Sequence, residues 1–104
     1  MEIFYLQIES VPSSKSDDYK EVGGAFVSCW VKADTVENAQ KKAKLSIEDN
    51  SWLVLNVLES YPVSAKTYEN RNEALEYFHQ AEIDGEVYNF HLWPNEPQES
   101  EQIN

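Results

Sequence analysis

Phe4, Leu6 and Ile8 fall on one side of residues 2–9, and Ile3, Tyr5 and Gln7 fall on the other. A period of two predicts a strand with a mixed second face. Residues 10–22 have no period and contain Pro12, four serines and the pair Asp17-Asp18. They read as a long mobile loop. Gly23-Gly24 precedes a second alternating run over 25–33, with Val27, Cys29 and Val31 against Phe26, Ser28 and Trp30. The two runs fit an antiparallel hairpin around the long loop.

The period then changes. Val36, Ala39, Ala43 and Ile47 share one helical stripe, interrupted by Gln40. Asp34 is placed to cap this helix, with Glu37 three residues on, and the helix should end near Asp49-Asn50. Residues 52–61 (WLVLNVLESY) are apolar on both faces, which predicts a strand in the centre of a sheet. After Pro62, residues 63–68 (VSAKTY) suggest a shorter strand. A second helix follows over about 71–82, with Ala74, Leu75, Phe78 and Ala81 as its buried stripe. Asp84-Gly85 turns the chain into a last strand, 86–93, with Tyr88, Phe90 and Leu92 facing a core.

If 63–68 is a strand, residues 25–93 have the βαββαβ order of a ferredoxin-like sandwich, with the N-terminal strand added. The expectation is therefore an α+β, two-layer domain. Its mostly antiparallel sheet has four or five strands, and both helices lie on one face. Residues 1–94 form that domain, and 95–104 read as a disordered acidic tail.

Composition narrows the function classes. The chain has 104 residues and a net charge of -11, with 19 acids against 8 bases. Residues 69–104 carry nine of the acids and a single base, Arg71. Nucleic acid and anionic membranes need clustered Lys and Arg, so both are excluded as partners. With one cysteine, Cys29, an internal disulfide is impossible, and its alternation with Val27 and Val31 places it in a core. No run approaches the roughly 20 apolar residues of a membrane span, and the N-terminal residues lack signal-peptide features, so a cytoplasmic location is expected. No Cys/His cluster or His-x-His spacing calls for a metal, and no motif calls for a cofactor.

Two sets of residues carry functional expectations. Glu73, Glu76, Glu82, Asp84 and Glu86 gather along the second helix and just beyond it. Acids at a helix C-terminus oppose its dipole, a cost explained by a basic partner protein or by a lysine of the first helix close in space. This is the leading expectation: a non-enzymatic interaction protein, of an inhibitor or immunity type, that docks on a basic partner. The second set is Tyr5, Trp30, His91 and Trp93. On an uncovered sheet face they would form a small-ligand site in a regulatory domain, homodimeric or larger, with the histidine as the polar contact. A third alternative is an accessory module of a larger assembly. No catalytic residue is assigned. His79, flanked by Glu76 and Glu82, is explained by helix electrostatics alone.

Overall fold

The computed structural model describes residues 1–70 and 72–95. Four strands, β1 (Glu2–Pro12), β2 (Val22–Ala33), β3 (Trp52–Val63) and β4 (Glu86–Pro94), form one sheet in the order β3-β1-β2-β4. Every neighbouring pair is antiparallel. Helix α1 (Val36–Asp49) joins β2 to β3, and α2 (Asn72–Asp84) joins β3 to β4. The result is an α+β domain with an antiparallel sheet and two helices.

The helices take opposite faces, and the alternation of β1 and β2 makes this arrangement stable. Phe4, Leu6 and Ile8 join Val27, Cys29 and Val31 in a core with Ala39, Ala43 and Ile47 of α1. Ile3 and Trp30, on the other face, are buried with Phe78 and Ala81 of α2 and with Tyr68. Both central strands thus bury residues on both faces, as internal strands covered from two sides must. The layers are helix, sheet, helix, rather than two helices on one side. The mixed second face of β1 is buried at its Ile3 end because α2 covers only that end.

The βαββαβ succession depended on a strand over 63–68. Instead, β3 ends at Val63, which pairs with Ile3, and Ala65–Tyr68 is a single turn of 3-10 helix. Thr67 Oγ1 accepts from the Ser64 amide and closes that turn. The element order is strand, strand, helix, strand, helix, strand, with the N-terminal strand in the middle of the sheet.

β3 is an edge strand, not a central one. Its pairing with β1 slips twice, between Gln7 and Ile8 and again between Glu9 and Ser10, so Leu58 and Leu55 have no register partner. These bulges break the alternation, and so the run is apolar on both sides without being covered on both. Leu53, Leu55, Val57, Leu58 and Tyr61 are exposed as a consequence.

Smaller corrections follow from local chemistry. Thr35 caps α1, its side chain accepting from the Asn38 amide, where Asp34 was expected. The β1–β2 loop shrinks to 13–21 because β1 continues through Ser10, Val11 and Pro12 and β2 already begins at Val22. It is folded into turns by Ser16, Tyr19 and Val22 amides bonded to Ser13, Ser16 and Asp18 carbonyls. Gly24 is required by packing: a Cβ there would lie 2.3 Å from the Trp93 indole. Of the expected tail, Asn95 bonds to the backbone of Lys20 and Glu21, and the remainder lies outside the described residues.

Candidate aromatic cavity under the second helix

Register builds the site. Tyr5 of β1 pairs with Trp30 of β2 on one side and with Tyr61 of β3 on the other. One step along β2, Ser28 pairs with Asn89 of β4, and Phe26 pairs with His91. Period-two alternation puts all of these side chains on the face that α2 partly covers. From above, α2 contributes Glu73, Ala74 and Tyr77, and the 3-10 turn contributes Tyr68.

Between these groups lies a cavity of about 360 Å³. Its aromatic wall is continuous. Ring centroids are 5.5 Å apart for Tyr5 and Tyr61, 5.3 Å for Tyr5 and Trp30, and 4.9 Å for Trp30 and Tyr77. The interplanar angles of 43°, 61° and 34° tilt successive rings into a corner rather than a parallel stack. Glu59 and Glu73 supply carboxylates to the lining, and Asn89 and His91 supply the remaining polar groups.

Most polar tips of these rings have hydrogen-bond partners within the protein. Trp30 Nε1 donates to the Tyr68 hydroxyl at 3.0 Å. Asn89 Nδ2 donates to the Tyr77 hydroxyl at 3.2 Å, and that hydroxyl donates to Glu73 at 3.4 Å. The hydroxyls of Tyr5 and Ser28 lie 3.4 Å apart. Desolvation, reinforced by the Glu73 and Glu76 carboxylates, pushes the Tyr77 phenol above its ordinary value.

Three of the four residues expected on a sheet-face site, Tyr5, Trp30 and His91, are brought together here. Trp93 is not in the lining: it packs on Phe26 at 4.8 Å, beyond the end that α2 covers. Sequence reasoning missed Tyr61, Tyr68, Tyr77 and Glu59. The i,i+3 spacing of Ala74 and Tyr77 was the available signal for α2, since it puts both on the side of the helix that faces the sheet.

The five acids expected on one docking face are not gathered in one place. Glu73 lines the cavity. Glu82 pairs with His79 at 3.0 Å, and Asp84 accepts from Gln80. Glu86 is on the α1 face, where it accepts from Ser46 at 2.6 Å and Tyr88 at 2.7 Å. The C-terminal end of α2 has its own compensation. Lys32 Nζ donates to the Glu82 carbonyl at 3.4 Å, and Lys42 Nζ, from α1, reaches the carbonyls of Lys32 and Gly85. A first-helix lysine does therefore lie close in space and offsets the acids at the dipole's negative end.

Cys29 is buried on the α1 face, across the sheet from the cavity, and burial pushes its thiol up to about 12. It supplies no thiolate near neutral pH. Among the described residues, no group of three or more His, Cys, Asp or Glu side chains is placed to hold a metal ion. None of the described helices is long and apolar enough to cross a membrane. The sequence matches no family model, and neither the curated proteins nor the solved structures give a significant match.

Proposed function

We propose that this chain is a non-catalytic binding domain and that its ligand site is the cavity between α2 and the sheet. The observation that carries this reading is the convergence of Tyr5, Trp30, Tyr61 and Tyr77 with Asn89 and His91 on one cavity. Small-ligand sites are concave, aromatic-lined, and carry a few polar groups that fix orientation. A volume of about 360 Å³ suits a small molecule rather than a peptide segment. Binding is favoured over catalysis because the one cysteine lies on the other face, where burial pushes its thiol up to about 12.

Ala74 allows a direct test, because it lines the cavity without making any of the hydrogen bonds described above. Ala74→Phe fills the space and leaves those bonds in place. In a thermal-shift screen of a chemically mixed metabolite library, compounds that stabilise the wild type and not Ala74→Phe support the reading. A screen whose hits stabilise both proteins equally contradicts it.

Docking of a basic partner protein is the second reading, supported by the net charge of -11. It would use Glu76, Glu82 and Asp84 on the outer side of α2, since Glu86 is on the α1 face. Reversal of those three charges is expected to slow association with such a partner and flatten its salt dependence. Association unaffected by the triple reversal would remove this reading.

A further inference from the structure

Resting on the ligand-site reading, we infer that the cavity takes a small organic cation, an alkylated ammonium group. Aromatic rings present a negative face and a positive edge, so inclined rings around one space attract a cation held within about 6 Å of their centroids. Tyr5, Trp30, Tyr61 and Tyr77 form such a corner, with neighbouring centroids 4.9–5.5 Å apart. The two carboxylates in the lining, Glu59 and Glu73, add charge of the complementary sign.

The pattern of hydrogen bonds selects the type of cation. A bare primary ammonium or a guanidinium brings several N–H donors, each of which needs an acceptor once desolvated. Here the Tyr68 and Tyr77 hydroxyls already accept from Trp30 and Asn89, and Glu73 accepts from Tyr77, so Glu59 is the main acceptor left for several donors. The rings of Tyr5, Trp30, Tyr61 and Tyr77 make up much of the remaining wall. A quaternary or highly alkylated ammonium has charge, weak hydration and few or no donors, so it loses little on leaving water and gains from the ring faces. A metal ion is less well served, because among the described residues no three His, Cys, Asp or Glu side chains converge to hold one.

The test uses choline and its uncharged isostere 3,3-dimethylbutanol, titrated calorimetrically into the full chain at low and moderate salt. Choline is expected to bind at least tenfold more tightly than the isostere, and less tightly as salt rises. Tyr61→Leu removes one ring from an edge strand where the side chain is 44% exposed, so the domain should still fold. It is expected to weaken choline by about threefold to thirtyfold, the range of one cation–ring contact, and to change the isostere less. Glu59→Gln and Glu73→Gln should each weaken choline and leave the isostere unchanged. Equal affinity for the two compounds, or choline binding insensitive to Tyr61→Leu and both Gln variants, overturns the cation assignment. The ligand-site reading fails separately, through hits that Ala74→Phe does not affect. A library compound lost in Ala74→Phe, with choline silent, would retain the site and discard the cation.

Discussion

Trp30 and Tyr68 are joined by a hydrogen bond of 3.0 Å from the indole Nε1 to the phenol oxygen, 38 positions apart in sequence. The bond fastens the 3-10 turn to the central strand β2 and sets one wall of the cavity. Both side chains are buried, at 5% and 7% exposure, so the indole donor lacks an easy alternative in water. Tyr68→Phe should cost about 1–3 kcal/mol in urea unfolding, the penalty of a buried donor left without an acceptor. In a Trp30→Phe background, where the donor is gone, the same change should cost distinctly less. Equal costs in the two backgrounds would show that the bond carries no coupling.

Gly24 lies under the Trp93 indole. A Cβ there would meet the ring at 2.3 Å and the Ser10 carbonyl oxygen at 2.9 Å. Gly24→Ala is expected to destabilise by about 1–3 kcal/mol through overpacking. Trp93→Ala should relieve most of that, leaving only the contact with the Ser10 carbonyl. Chemical denaturation of the two single variants and the double variant measures this directly.

Ser10 is fully buried, and its hydroxyl has no partner among the described residues. It pairs in register with Ala25, and from the two sheet edges Trp52 and Phe90 meet on the same face with centroids 5.3 Å apart. Small side chains at 10 and 25 leave room for that meeting, but Ala suffices for the space. Ser10→Ala should leave stability unchanged or raise it by up to about 1 kcal/mol. A loss of more than about 1 kcal/mol would reveal a bonded buried water at this hydroxyl.

Burial raises the Cys29 thiol from 9.0 to about 12, and burial first, then Glu86, also pushes the Tyr88 phenol up. Both groups are neutral when protonated, so the folded state holds their protons at pH values where the unfolded chain releases them. Their contribution is complete below the unfolded values and is lost as pH climbs above about 9. From Cys29 alone, stability should fall by up to about 1.4 kcal/mol per pH unit between 9 and 12. Thiol labelling at pH 8 should be slow in the native protein and fast in urea. Rapid native labelling would place Cys29 at the surface.

Much of this architecture is legible in the sequence, and the missing parts have a common physical origin. The alternation of Val27, Cys29 and Val31, and of Tyr88 and Phe90, correctly assigns those residues to one core, whereas Leu92, expected on the same face, is 53% exposed near the end of β4. The stripe Ala39, Ala43 and Ile47 correctly gives the buried side of α1. Alternation says nothing about which face a given helix covers, and β1 and β2 are apolar enough on both faces for either placement. The edge position of β3 was hidden by the bulges at Leu58 and Leu55, which imitate the two-sided apolar pattern of a central strand. Tyr68 lies in the polar stretch VSAKTY, so its burial is visible only when Trp30 is beside it. The cavity depends on that same long-range meeting. Tyr5, Trp30 and His91 were readable as a sheet-face group, whereas Tyr61, Tyr68 and Tyr77 join them only through strand pairing and the return of α2.

The placement of the ligand site in the cavity is tested most directly by amide and indole chemical-shift mapping of the isotopically labelled protein during titration with choline. The expected result is a saturable set of shifts centred on Tyr5, the Trp30 indole, Tyr61, Asn89 and His91, with Cys29 and the α1 side unchanged. Saturable shifts confined to Glu76, Glu82 and Asp84 on α2 would contradict it, and no saturable shift at all would discard the cation.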